Sequence, residues 1–400
     1  MKKHIAFFVA PYQGHVNPLL PVVADLVGRG HRITCVTASH FVEPLVAAGA
    51  RTVGYPSVWP ANRSVPAEVP AEEMAKGPLQ ILRENIAAAT AAERELAADA
   101  PDLVVYDTLM NFGGRALAEK WGRPAAQFIP LLASNEHFSV LQEVANEFPP
   151  VDPQHPALLE FGARLGEFRA GHGLSAPGPG DFLAASEGLN LVCVGRDFQP
   201  AADTFDERYV FVGPSLPEPG DRAPWSPPEG GAPVLLVALG TLFTERPDFY
   251  RACAEAFADQ SWHVVMAIGD HVDPAGLGPL PPHVEVHRRV PQLAVLEHAR
   301  VFVTHGGIRS AMEALSAGTP MVAVAQSVEL DFTARRIAEL GLGVRIARRE
   351  VTPEALRTAV RTAAEDPEIQ RRVAAMSESV RAGGGAARAA HAIEAYAERV

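Results

Sequence analysis

The chain has 400 residues, of which 48% are hydrophobic and 20% are charged, and its formal net charge at pH 7 is −12. That length suits two domains of roughly 200 residues each, and the apolar content predicts a large buried core rather than disorder. The acidic balance argues against nucleic acid as a partner, because binding a phosphate backbone needs a basic face. No run of about 18 apolar residues exists, so no membrane span is predicted.

The cysteines and the first residues indicate the compartment. Cys35, Cys193 and Cys253 are too few and too far apart for a disulfide framework or a zinc site, which fits a reducing cytoplasm. The apolar run at 5–9 is too short for a signal segment and is soon followed by Pro11, so it indicates a buried strand. We therefore expect a cytoplasmic protein.

The first half of the chain alternates between β-rich apolar runs and helical patterns. Strands are predicted at 4–9, 31–37, 103–106 and 190–194, and helices at 17–29 and 79–98. Such alternation is typical of βαβ units, in which helices cover a parallel sheet. The prediction is an α/β domain over residues 1–213.

A segment rich in proline and glycine, residues 214–233, interrupts this alternation and is predicted to be an interdomain linker. The alternation then resumes over 234–382, with strands at 234–239, 262–268, 284–286, 301–304 and 321–324 and helices at 251–258, 292–299, 309–317 and 332–340. The fold class is therefore α/β, with two Rossmann-like doubly wound domains facing a cleft, where ligands commonly bind. After three glycines, a last helix at 386–400 either packs back on the first domain or forms a frayed tail.

Two polar side chains of the first domain follow strands of the predicted sheet. His15 lies on the turn after the first strand, and Asp107 ends the strand at 103–106. Because the carboxyl ends of parallel strands share one edge, we expect the two side chains to meet there. An imidazole can take a proton from a hydroxyl, and a carboxylate can fix its tautomer. The alternatives are a helix-entry His15 satisfied by the backbone and an Asp107 that caps the next helix.

The second domain carries a denser polar motif after the strand at 301–304. His305, Gly306 and Gly307 open a helix whose free N–H groups and positive dipole end suit a diphosphate. Glu313 lies one turn beyond Ser310, where it could reach a ribose hydroxyl or act as a capping-box residue behind Ser310.

Taken together, these motifs resemble the family 1 glycosyltransferases of the GT-B fold, and within them the bacterial macrolide glycosyltransferases. The resemblance spans essentially the whole chain. Its motifs are Gly14-His15-Val16-Asn17-Pro18, Tyr106-Asp107, Phe211-Val212-Gly213-Pro214, Leu239-Gly240-Thr241, Val290-Pro291-Gln292-Leu293, the segment from His305 to Glu313, Glu329, Ala334 and Leu340-Gly341-Leu342-Gly343.

The resemblance implies an inverting transfer of a sugar from a nucleoside diphosphate to a hydroxyl of an apolar natural product, without metal or cofactor. His15 would be the general base and Asp107 its partner. Val290 and Gln292 would hold the uracil or thymine, and Glu313 the ribose. The residues that would hold the diphosphate are Thr241, His305, Gly307 and Ser310, and Glu329 would bind sugar hydroxyls. UDP-glucose is favoured as donor and a dTDP-deoxysugar is the other possibility.

Four positions depart from the family pattern. Arg289 stands where a Trp is usual, so a guanidinium plane would have to stack on the base. Arg309 replaces a usual Asn and would either contact phosphate or point to solvent. Leu330 replaces a usual Gln, which removes a hydrogen bond to the sugar, and Thr333 replaces a usual Asn. These departures affect the sugar more than the reaction type.

The acceptor side is less defined by the sequence. The residues expected to line it are Gln13, Met110, Phe112, Phe138 and Phe148, and the apolar ones fit an ordinary core equally well. A monomer or a homodimer is expected. The alternatives to a transferase are a nucleotide-sugar epimerase of the same fold and a catalytically silent relative that binds a small molecule or activates a partner transferase.

Overall fold

The computed structural model describes residues 2–59, 71–147, 152–175, 186–218, 220 and 222–400. The chain divides into two compact units. Pro217–Ala382 forms the second unit, and Gly383–Val400 belongs to the first, whose main part ends at Leu216. Within the described ranges, no helix combines the length and the apolar character that crossing a bilayer requires.

The described residues of the first unit form a seven-stranded parallel sheet. Its strands are β1 (His4–Phe8), β2 (Arg32–Ala38), β3 (Arg51–Tyr55), β4 (Leu103–Asp107), β5 (Ala125–Ile129), β6 (Asn190–Val192) and β7 (Tyr209–Phe211). The helices between them are α1 (Gln13–Gly28), α2 (Val42–Ala47), α3 (Ala71–Leu96), α4 (Asn111–Trp121), α5 (Val140–Asn146) and α6 (Pro156–Gly171). The spatial order β3-β2-β1-β4-β5-β6-β7 reverses direction between β1 and β4.

In the described residues of the second unit, a six-stranded parallel sheet repeats this plan in the order β10-β9-β8-β11-β12-β13. The strands are β8 (Val234–Ala238), β9 (His263–Ala267), β10 (Val284–His287), β11 (Ala299–Thr304), β12 (Met321–Ala323) and β13 (Gly343–Arg345). The helices are α7 (Pro247–Phe257), α8 (Gln292–Leu296), α9 (Ile308–Ala317), α10 (Val328–Glu339), α11 (Pro353–Glu365) and α12 (Pro367–Ala382). The predicted α/β class with parallel sheets is confirmed.

Side chains of the central strand β1 alternate between the two faces of the first sheet, as the pleat requires. Ile5 and Phe7 face a core that includes residues of α1, whereas Ala6 and Phe8 face a core that includes residues of α3 and α4. The last helix, α13 (Gly385–Arg399), joins the first of these cores through Ile393 and its neighbours. This helix therefore completes the first unit.

Some elements differ from the sequence prediction. The strands β3, β5, β7 and β13 were not predicted. β7 and β13 have only three residues each, and Gly54 and Gln127 interrupt the apolar patterns of β3 and β5. Helix α1 begins at Gln13, four residues before the predicted start at 17. The prediction used the preference of Pro for the first helical position, but Pro18 lies further inside this helix. The amides of His15 and Val16 instead donate to the Tyr12 carbonyl, which places His15 within the first turn.

Candidate functional site

His15 lies in the first turn of α1, just beyond the carboxyl end of β1. Its imidazole Nδ1 is 2.7 Å from Oδ2 of Asp107, the last residue of β4. Only 7% of His15 and 2% of Asp107 is exposed. The two residues meet although they are 92 positions apart, because β1 and β4 are neighbours where the strand order reverses.

Asp107 holds two groups at once. Its Oδ2 faces His15, and its Oδ1 accepts a hydrogen bond of 2.9 Å from the Leu109 amide, which caps the short turn that follows β4. Asp107 therefore makes both contacts that the sequence left open, one with His15 and one that caps the turn after β4. An ionised carboxylate can only accept, so in the neutral imidazole Nδ1 carries the proton and Nε2 keeps the lone pair. That tautomer is the one a general base needs at Nε2.

One aromatic ring, that of Tyr12, adjoins His15, and a second, that of Trp59, adjoins Tyr12. The Tyr12 ring centroid is 5.8 Å from that of His15 and 5.0 Å from that of Trp59, which follows β3. Gln13 is half-buried in the same helical turn as His15. Tyr12 and Trp59 therefore form an aromatic wall, of which Tyr12 is the member beside the imidazole.

The apolar candidates for the acceptor side differ in their placement. Met110 is fully buried in the core shared with α3 and α4, which is the ordinary core role that the sequence left open. Phe112 is half-buried, and its ring packs edge to face against Phe161 at 5.7 Å. Phe138 is 9% exposed. Phe148 lies outside the described residues.

In the second unit, four polar side chains gather at the start of α9. Gln292 Nε2, at the first residue of α8, donates to Ser310 Oγ (3.2 Å) and to Glu313 Oε2 (2.6 Å). Arg309 Nε donates to the other carboxylate oxygen, Glu313 Oε1, at 2.7 Å. The capping-box interpretation of Glu313 is wrong, because Gly307 is the N-cap and Ser310 lies inside the helix. Arg309 thus engages a carboxylate, a contact that the sequence did not predict.

His305 lies between two glycine-containing turns of the second unit. A Cβ atom built on Gly240 or Gly307 would overlap the His305 ring at Nε2, so both positions need glycine for this close approach. Gly240 also has a φ of 73°, which favours glycine. Burial lowers the pKa of His305 to about 4, and hydrogen bonding to the Ala238 backbone opposes this in part. The imidazole is therefore neutral at neutral pH.

The other donor-side candidates lie on loops and helix starts of the second unit. Thr241 is exposed beside Gly240, and Val290 is half-buried. Arg289 is exposed and pairs with Asp270 at 2.5 Å, so its guanidinium is held by a carboxylate. Glu329 is exposed and Leu330 half-buried in the first turn of α10.

Among the described residues, no group of three or more His, Cys, Asp or Glu side chains is arranged to hold a metal ion. Sequence reasoning missed Glu84 and Asn85, two buried residues of α3 that contact the loops beside His15 and Asp107. The available signal was weak, since this charged and polar pair lies between Leu82 and Ile86, just before an Ala-rich stretch.

Comparison with known proteins identifies the group. Residues 254–394 match the family described as Erythromycin biosynthesis protein CIII-like, C-terminal domain. The NDP-glycosyltransferase YjiC of Bacillus licheniformis is 38% identical over 401 residues, which cover 98% of each chain. The demethyllactenocin mycarosyltransferase of Streptomyces fradiae is also 38% identical, over 98% of this chain and 86% of that protein.

Among solved structures, the calicheamicin glycosyltransferase CalG4 is similar over 100% of this chain and 99% of its own, with 41% identity and a TM-score of 0.88. The two parallel-sheet units agree with that likeness. The chain therefore belongs to the glycosyltransferases of the GT-B fold, in the bacterial natural-product group that includes macrolide glycosyltransferases.

Proposed function

We propose that this chain is an inverting O-glycosyltransferase that moves a sugar from a nucleoside diphosphate to a hydroxyl of an apolar natural product. The observation that carries the proposal is the buried contact of 2.7 Å between His15 Nδ1 and Asp107 Oδ2. It leaves the lone pair at Nε2, where an acceptor hydroxyl can deliver its proton. The acceptor oxygen then bonds to the anomeric carbon, and the bond from that carbon to the diphosphate breaks.

Asp107 supports this step in two ways. It fixes the Nδ1–H tautomer of His15, and its negative charge stabilises the imidazolium that forms when His15 takes the proton. Because Asp107 is itself held by the Leu109 amide, its carboxylate keeps one orientation. The leaving diphosphate needs a separate set of donors.

We place the donor on the second unit, at the start of α9. The helix N-terminus, the neutral His305 imidazole and the Arg309 guanidinium supply donors and positive charge for a diphosphate. Glu313 and Gln292, which contact each other, are suited to the ribose and the base. With this charge available from the protein, we expect transfer without a divalent ion, and activity that persists in EDTA.

UDP-glucose is the donor that we favour over dTDP-deoxysugars, and the acceptor class is macrolides, polyketides or phenols. A nucleotide-linked donor and a macrolide-type acceptor are supported by the whole-chain likeness to an NDP-glycosyltransferase and to an oleandomycin glycosyltransferase from Streptomyces antibioticus, the latter 36% identical.

The test is a screen of UDP- and dTDP-sugars against polyketide and phenolic acceptors, with product mass as the readout. His15→Ala should slow transfer to an unactivated alcohol by roughly 10²- to 10⁴-fold while the Kd for UDP stays unchanged. Wild-type-like turnover in His15→Ala would contradict the proposal. Epimerised donor without glycosylated acceptor would indicate an epimerase, and binding without turnover would indicate a silent relative.

A further inference from the structure

Two consecutive residues of α3, Glu84 and Asn85, are completely buried, with 0% of each exposed. Consecutive helical residues point about 100° apart, so a single turn can reach two different loops. Here the two loops are the one that follows β3 and the one that follows β4. Both loops lie beside the His15–Asp107 pair.

Asn85 fixes the loop after β4. Its Nδ2 donates to the Leu109 carbonyl at 2.8 Å and to the Ile81 carbonyl of its own helix at 2.9 Å. Its Oδ1 accepts from the Gly113 amide at 2.9 Å. The same Leu109 donates its amide to Asp107 Oδ1. Asn85 therefore fixes Leu109, and Leu109 in turn orients the carboxylate of Asp107.

Helices α3 and α4 are in close contact where Gly113 meets Asn85. A Cβ built on Gly113 would lie 2.7 Å from the carbonyl oxygen of Asn85. Helix α4 is thus pressed against α3 where Asn85 bonds to the loop. Any shift of α3 would be transmitted to the turn that carries Leu109.

Glu84 fixes the loop after β3. Its Oε2 accepts from the Val58 amide at 2.9 Å. The next residue, Trp59, stacks near Tyr12, whose ring in turn adjoins the imidazole of His15. Glu84 therefore holds one end of the aromatic wall beside the imidazole.

Burying the carboxylate of Glu84 lowers the stability of the fold, so a purely structural role does not explain this residue. Within the described part of the chain, its Oε1 and the Tyr55 hydroxyl lack hydrogen bonds of normal geometry. Burial raises the pKa of Tyr55, and the nearby charge of Glu84 raises it further. A buried carboxylate that lies beside a tyrosine hydroxyl and accepts from the Val58 amide costs stability that an apolar side chain would not. Its presence next to the paired His15 and Asp107 points to a role in that site.

We propose that Glu84 and Asn85 are positioning residues, which from one turn of α3 orient the two loops beside His15 and Asp107. Asn85 acts on the orientation of Asp107 through Leu109, and Glu84 acts on the wall beside His15 through Val58 and Trp59. The inference rests on the proposed function, because it assumes that His15 removes the acceptor proton. Glu84 and Asn85 would serve the proposed reaction without touching a substrate.

The test compares two acceptors of similar size at about pH 8.5, 4-nitrophenol, which is largely ionised there, and 4-ethylphenol, which still needs a base. Asn85→Leu removes the side-chain hydrogen bonds with little change in volume. It should lower kcat for 4-ethylphenol by about ten- to a hundredfold, the scale of a misplaced catalytic group. Transfer to 4-nitrophenol should change less than about threefold, since ionised acceptors do not need the base.

A double variant tests the route through Asp107. If Asn85 acts only by orienting that carboxylate, Asn85→Leu should slow 4-ethylphenol transfer no further in an Asp107→Asn background. Additive losses would overturn this route. Equal losses with both acceptors would also overturn it, because they would indicate a general structural defect.

Glu84 is tested by two replacements. Glu84→Gln keeps an acceptor for the Val58 amide and should retain most of the 4-ethylphenol activity, whereas Glu84→Leu should lose it and raise the acceptor KM. Equal activity of these two variants would refute the role through Val58. Thr90→Val is the matched control, because it removes a side-chain bond to the Ile86 carbonyl on the exposed face of α3.

Two further measurements separate the possible failures. The thermal midpoint shows whether each variant is folded, and the Kd for UDP shows whether the second unit is unaffected. If His15→Ala remains active with 4-ethylphenol, the proposed function itself fails. If His15→Ala is inactive and the Asn85 and Glu84 variants are not impaired, only the positioning inference fails.

Discussion

The buried imidazole of His305 should make the second unit lose stability in mild acid. Its pKa is lowered by burial to about 4, against 6.5 for the exposed side chain. Well above pH 6.5 neither the folded nor the unfolded state binds the proton, so the imidazole contributes no pH dependence there. As the pH falls, the unfolded state takes up the proton first, so the free energy of unfolding decreases until the folded-state pKa is reached.

The size of this loss follows from the two pKa values. Linkage gives a loss of about 1.2 kcal/mol between about pH 7 and pH 5.5, and of roughly 3 kcal/mol by about pH 4. The range from about pH 7 to pH 5.5 isolates the contribution of His305 better, because few carboxylates titrate there. The perturbation is His305→Gln, which keeps a polar side chain and removes the titrating group.

The assay is urea unfolding of the second unit at each pH. In a background in which Trp59 and Trp121 of the first unit are replaced by Phe, fluorescence reports Trp225 and Trp262 of the second. The parent should lose about 1.2 kcal/mol more than His305→Gln between about pH 7 and pH 5.5. Equal losses in the two proteins would refute the reasoning, whatever their stabilities at neutral pH.

The remaining predictions concern packing and the donor. Ile393→Ala should lower the free energy of unfolding of the first unit by about 2–5 kcal/mol in urea, because this fully buried side chain of α13 completes its core. Gly307→Ala should weaken UDP binding in calorimetry by about tenfold, because the added methyl overlaps His305. Arg309→Asn should raise the Kd for UDP about three- to tenfold, and an unchanged Kd would remove the guanidinium from the donor site. Leu330→Gln should raise kcat/KM for UDP-glucose relative to dTDP-deoxysugars, and a constant ratio would exclude Leu330 from sugar choice.

The contact of His15 with Asp107 could be predicted from the sequence because it depends on topology alone. Two parallel strands that adjoin at the reversal of strand order bring the residues after them together, whatever the details of packing. The fold class followed for the same reason, from the alternation of strand and helix patterns. The start of α1 was misplaced, since local preferences for Pro18 do not reveal that the Tyr12 carbonyl accepts from two amides.

Other features depend on geometry that no spacing rule contains. The pairing of Arg309 with Glu313 follows from helical i, i+4 spacing, but the sequence does not show that Glu313 is buried and held by Gln292. Asn85 meets Leu109 and Gly113 across 24 and 28 residues, and only the packing of α4 on α3 brings them together. Such contacts between a helix and a distant loop need coordinates.

In both units, buried acidic side chains that lower stability lie near the reversal of strand order in the sheet. Among the described residues, the acidic side chains that are almost fully buried are Glu84, Asp107 and Glu313. Asp107 ends β4, where the strand order of the first sheet reverses, and Glu84 bonds to the neighbouring loop after β3. Glu313 lies on the helix that follows β11, where the strand order of the second sheet reverses. A chain selected for stability alone would place apolar side chains at these positions, because each buried carboxylate requires hydrogen-bond donors to offset its lost hydration. Since the donors found there include His15, Gln292 and Arg309, the buried acids orient the groups that we propose to bind the donor and to deprotonate the acceptor.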